Sequence, residues 1–83
     1  MRQNKLTDKQ VSIINVIKKG NIDGSWVDID QILERIEYTT TKESLQFSLR
    51  FLVKRGLIKK SHKEIRRGRL RIIYQPMMAA FEI

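Results

Sequence analysis

The sequence predicts one α+β domain in which three helices lead into an antiparallel β-hairpin, and three observations carry that expectation. Apolar residues recur at helical spacing in three separate stretches, each opened by a Thr or Asp and closed by Gly or turn formers. After Gly56 the pattern changes to two runs rich in Ile, Leu and Tyr, separated by a polar, basic turn containing Gly68. A chain of 83 residues holds a single small core, so residues 1–83 are read as one domain with its core in 7–75 and a tail in 76–83.

The first helix begins at Thr7, whose hydroxyl can cap the opening amides while Gln10 reaches back as the reciprocal partner. Val11, Ile13, Ile14 and Ile17 form its apolar stripe, and Lys18, Lys19 and Gly20 suit its end. Asn21 to Ser25 is a turn, and Trp26-Val27 is a short β-prone pair that can add an edge strand. Asp28 or Asp30 caps a helix of about two turns with Ile29, Ile32, Leu33 and Ile36 on one face. Glu37 to Thr41 interrupts the pattern, because threonines resist helix interiors, and Thr40 or Thr41 starts the third helix. Over 42–55 Leu45, Leu49 and Leu52 fall on one side, and Gly56 stops the helix. Runs 57–61 and 70–75 then read as paired strands.

Charge is distributed unevenly along this frame. The net charge is +8, and residues 54–71 hold nine Lys or Arg against the single acid Glu64, which accounts for the whole surplus. One face of the molecule would therefore meet a polyanion. With no Cys and only His62, disulfide frameworks and the common structural zinc sites are excluded. No metal, cofactor or small-molecule ligand is expected, and no acid, base and nucleophile set is visible, so an enzyme is not expected. No apolar run approaches the roughly 20 residues that span a bilayer, and residues 1–10 lack an apolar signal core. The expected location is cytoplasmic: nucleoid-associated, or the host cytoplasm for a viral protein.

The run Leu45-Gln46-Phe47-Ser48-Leu49-Arg50-Phe51-Leu52-Val53-Lys54-Arg55-Gly56-Leu57-Ile58 resembles the recognition helix and first wing strand of the winged helix-turn-helix superfamily of DNA-binding proteins. Trp26-Val27 stands where such domains place their first strand, and residues 69–74 match the returning wing strand. The resemblance covers about residues 7–75 and implies a three-helix winged helix-turn-helix with a small antiparallel wing and a short C-terminal extension. It implies a sequence-specific binder of double-stranded DNA, most simply a transcriptional regulator. A winged-helix protein-interaction module in a larger assembly, a partition or architectural DNA protein, and a binder of duplex RNA are the alternatives.

In that reading an α-helix enters a major groove about 12 Å wide and presents side chains near its N-terminus to base edges. Here those are Thr40, Thr41, Lys42, Ser44, Gln46 and Phe47, with Arg50 and Lys54 further along; Glu43 is a first-turn acid that suits capping better than base reading. The wing contributes Lys60, His62, Lys63, Arg66, Arg67, Arg69 and Arg71. Strand alternation prevents Lys60, His62, Arg69 and Arg71 from sharing one side, whereas Lys63, Arg66, Arg67 and Gly68 are expected at an unconstrained tip. Arg66 or Arg67 is expected to enter a minor groove. Phe47 and Phe51 depart from the usual small or polar residues. They are expected to pack under the wing or against a partner subunit, with a thymine methyl as the alternative contact for Phe47. A homodimer through the N-terminal arm and first helix, or through the apolar tail, is expected; the alternative is a monomer with Phe81 and Ile83 folded onto the first helix.

Overall fold

The computed structural model describes residues 6–82. The first helix, α1 (Asp8–Lys19), is held at its start by two reciprocal bonds: Gln10 N donates to Thr7 Oγ1 at 3.1 Å, and Thr7 N donates to Gln10 Oε1 at 2.9 Å. Its Ile13, Ile14 and Ile17 are fully buried. The short strand β1 (Val27–Asp28) lies one residue later than the expected Trp26-Val27 pair. Asp28 ends that strand and also caps α2 (Ile29–Arg35), exchanging bonds with Gln31 in a second capping box. Of the two candidate caps, Asp28 is therefore the one used.

Thr41 caps α3 (Lys42–Lys54) by accepting from Ser44 N at 3.1 Å, and Leu45, Leu49 and Leu52 are buried beneath it. Gly56, at φ 77°, takes the left-handed turn that releases the chain into β2 (Ile58–Arg66), which pairs with β3 (Arg69–Pro76). The sheet is antiparallel in the order β1-β3-β2, with Val27 opposite Tyr74 and Asp28 opposite Ile73.

The hairpin is longer than the sequence predicts. Its strands extend through the polar stretch expected to form an open tip, and they close on the two residues Arg67 and Gly68, both at positive φ (53° and 76°). That sign pattern belongs to the type I′ turn, whose twist matches paired strands. Lys60 pairs with Tyr74 and Lys63 with Ile72, so Ser61 and His62 together oppose Ile73 in a β-bulge.

The three helices and the base of the sheet share one core of Ile13, Ile14, Ile17, Val27, Ile32, Leu45, Leu49, Leu52, Ile58 and Tyr74. Burying each large aliphatic side chain contributes about 1.5–3 kcal/mol, so this cluster carries the fold. The core also extends past residue 75. A 3-10 turn, Met78–Glu82, seats Ala80 fully buried in the cluster, and Met77 N donates to Leu57 O at 2.9 Å. Phe81, which the monomer alternative folds onto the first helix, stays 59% exposed with Lys18 Nζ of α1 5.5 Å from its ring centroid. Ile83 and most of the N-terminal arm lie outside the described residues. Among the described residues no helix is long and apolar enough to cross a membrane.

Candidate nucleic-acid interface

The leucine stripe fixes the rotation of α3 and turns most of its other residues outward, with Lys42, Ser48 and Val53 half-buried at its flanks. Thr41, Glu43, Ser44, Gln46, Phe47, Arg50 and Lys54 are exposed, while Thr40 is half-buried. Gln46, Phe47, Arg50 and Lys54 follow the i, i+1, i+4, i+8 spacing of a single helix face. Neither phenylalanine packs under the hairpin, the first of the two expected placements, and both rings stay outward as the second, a partner subunit, would need. Phe47 is 69% exposed with the Arg50 guanidinium 6.0 Å from its centroid, and Phe51 carries Arg55 at 5.6 Å. The ion pairs of the hairpin reach α2 and its N-cap, and among the described residues none of its cations lies over either ring.

Those contacts decide which hairpin cations are available. Cross-strand partners share a face, so Glu64, Arg71, Arg66 and Arg69 lie on one side of the ribbon and Lys63, Ile72, Ile65 and Leu70 on the other. Arg66, only 15% exposed, uses its guanidinium as an anchor: Nη1 donates to Gln31 Oε1 at 2.9 Å and to Asp28 Oδ2 at 3.3 Å, Nη2 to the Trp26 carbonyl at 2.9 Å, and Nε to Glu64 Oε1 at 3.1 Å. It is not available to a minor groove. Arg71 pairs with Asp30 Oδ2, and Asp30 Oδ1 receives Lys42 Nζ at 3.2 Å. Arg67 reaches Glu34 at 3.5 Å, but both side chains remain more than half exposed and the pair is a weak one.

His62 Nε2 contacts the Glu64 carboxylate. That hydrogen bond is the main reason the Glu64 carboxyl sits below its usual value, and the Arg66 guanidinium adds to it. At the base of the sheet, burial raises the Tyr74 phenol while the charge of Arg50 acts against that rise. Arg50 therefore lies close enough to the sheet for its field to be felt there.

No protein-family model matches the chain, and no curated protein matches it. What this surface does has to follow from its own chemistry.

Of the expected contact residues, the structure places Thr41, Ser44, Gln46, Phe47, Arg50 and Lys54 outward on α3, and Lys60, His62, Lys63, Arg67 and Arg69 outward on the hairpin. Lys60, Lys63 and Arg69, together with Lys59, form no ion pair among the described residues. Arg66 and Arg71 are withdrawn into α2, and Lys42 is held by Asp30. Sequence reasoning missed the acids that do this, namely Asp28, Asp30 and Glu34, along with Gln31. A signal existed in their crowding onto one short basic-poor helix, but nothing local indicated that the hairpin, 38 residues further along the chain, would return to them.

Proposed function

We propose that the protein is a winged helix-turn-helix that binds double-stranded DNA, with α3 in the major groove and the hairpin on the flanking backbone. The single observation that carries this reading is the Asp30 carboxylate, which joins Lys42 at the start of α3 to Arg71 on β3. It links the start of α3 to the Arg71 side of the hairpin, which supports simultaneous contact of both elements with one duplex. Gln46 can pair its amide with the N6 and N7 edge of adenine, Thr41 and Ser44 suit phosphate oxygens near the helix N-terminus, and the exposed cations neutralise the backbone. Base-reading side chains at the front of α3 favour a sequence-specific regulator over a purely architectural protein. Its place is where chromosomal or viral DNA lies, in the cytoplasm.

Two copies would read two half-sites, and the exposed Met78 and Phe81 beside α1 offer the apolar area for pairing. A second reading, a protein-interaction module, is favoured by the exposure of Phe47 and Phe51 on α3. The experiment is a fluorescence-anisotropy titration of duplex DNA, duplex RNA and single strands across salt. If Arg50, Lys54, Lys60, Lys63, Arg67 and Arg69 meet phosphates, log K falls against log salt with a slope of about −5 on duplex DNA. A slope near zero removes the DNA reading and leaves the protein-interaction reading standing.

A further inference from the structure

Resting on the DNA reading, we propose that Ile65 and Leu70 form an apolar wedge which the hairpin inserts between base pairs in the minor groove, so that binding kinks the duplex. The two residues are directly opposed on the rung just inside the closing pair Arg66–Arg69 and are 70% and 60% exposed. Large aliphatic side chains are unusual at the end of a two-stranded ribbon with no third strand or helix over them, since they neither fill the core nor aid solubility.

Their surroundings specify the occupant. Lys63 lies on the same face two rungs back, exposed Arg67 stands at the turn, and Arg69 adds its charge from the other face of the ribbon's end. An apolar centre within a cationic rim complements a ligand that is anionic outside and apolar within, which describes stacked bases between phosphate chains. A second copy of this chain fits poorly, because two-fold pairing through the patch would bring Lys63 and Arg67 close to their own counterparts.

The position and stiffness of the ribbon agree with that role. Leu70, Ile72 and Tyr74 alternate along β3 and so share a face; Tyr74 belongs to the core under α3, and Ile72 packs against that core. The face that begins beneath α3 therefore runs out to the apolar pair, and a duplex seated on α3 meets it in the adjacent groove. On the opposite face Arg66 ties the ribbon to Asp28, Gln31 and the Trp26 carbonyl, so the pair can press on a base step without the ribbon folding away.

The test uses the full chain and a duplex of about 30 base pairs containing TA steps, which unstack most easily, with a donor and acceptor dye on its ends and 2-aminopurine at one step. The native protein is expected to bend the duplex by about 20–90° and to raise the 2-aminopurine fluorescence. The Ile65→Thr, Leu70→Thr double variant retains β-propensity; it is expected to bind within about threefold of native with the same salt slope, while losing the bend and the fluorescence rise. Native binding with neither bend nor unstacking overturns the wedge and leaves the DNA reading intact, and this result needs no variant. A free-protein dimer in sedimentation that the double variant abolishes also overturns it, because the patch is then a self-contact. Failure of the native chain to bind any duplex at low salt overturns both.

Discussion

Asp30 holds Lys42 on one carboxylate oxygen and Arg71 on the other, so a single acid on α2 occupies two cations at once. Asp30→Asn frees both. The variant should bind duplex DNA about fivefold more tightly at low salt, with the log–log salt slope steeper by about one to two. Its folding free energy should fall by about 1 kcal/mol, because the lost pairs are partly solvated. Parallel anisotropy and urea titrations check this; unchanged affinity would show that Lys42 and Arg71 do not meet the backbone.

Arg66 is an anchor rather than a DNA contact. Arg66→Met keeps the aliphatic stem but leaves the nearly buried Asp28 without its ion partner, at a cost of about 3 kcal/mol in urea unfolding. The salt slope of the folded variant should match that of the native chain. A shallower slope would restore Arg66 to the interface.

Side chains on α3 should divide into readers and neutralisers. Gln46→Ala is expected to cost about 1–3 kcal/mol on a selected high-affinity site and almost nothing on random duplex. Lys54→Ala should weaken both alike and reduce the slope by about one. Selection of bound fragments from random DNA supplies the site, and equal effects of Gln46→Ala on both substrates would argue against base reading at that position.

The turn exchanges stability for charge. Arg67 sits at φ 53°, a conformation that Asn adopts more readily in front of Gly68. Arg67→Asn should stabilise the fold by about 1 kcal/mol, seen as a higher urea midpoint, while lowering the salt slope of duplex binding by about one.

Acid should loosen the hairpin through Glu64. Its carboxyl is held below the usual 4.5, first by the bond from His62 and then by Arg66, so the folded state binds fewer protons than the unfolded chain just below that value. The stabilisation is present above the unfolded value and is lost as pH falls through the lower folded one. Asp23, lowered mainly by its bond from the Ser25 hydroxyl, behaves in the same sense below 3.8. Thermal melts between about pH 6 and pH 3 should show a decline that is shallower for Glu64→Gln.

The helices were legible in the sequence because their signals are local. Thr7 with Gln10, Thr41 before α3, and the isoleucine and leucine stripes each act within one or two turns. The hairpin was half-legible. Residues 62–66 contain one aliphatic residue among polar ones, so nothing local announces the strand that continues past Ser61; its pairing is stabilised from outside, by α2 acids far away in sequence. The exposed face of α3 followed directly from the leucine stripe. The loss of Arg66 and Arg71 from the surface did not, since long-range ion pairs leave no periodic trace. Ala80 escaped for the opposite reason, being too small to announce itself as core.

Ser61 and His62 share one opposing residue, Ile73, and that surplus of one bends β2 locally and adds to its twist. Cross-strand partners share a face, so losing either residue while the pairs from Lys63–Ile72 to Arg66–Arg69 are kept would leave Ile65 beside Leu70 and the Arg66 guanidinium toward α2. A deletion of three nucleotides would thus straighten the hairpin without exchanging its sides: the bulge governs how the ribbon curves, and the pairing keeps the side fastened to α2 distinct from its reverse.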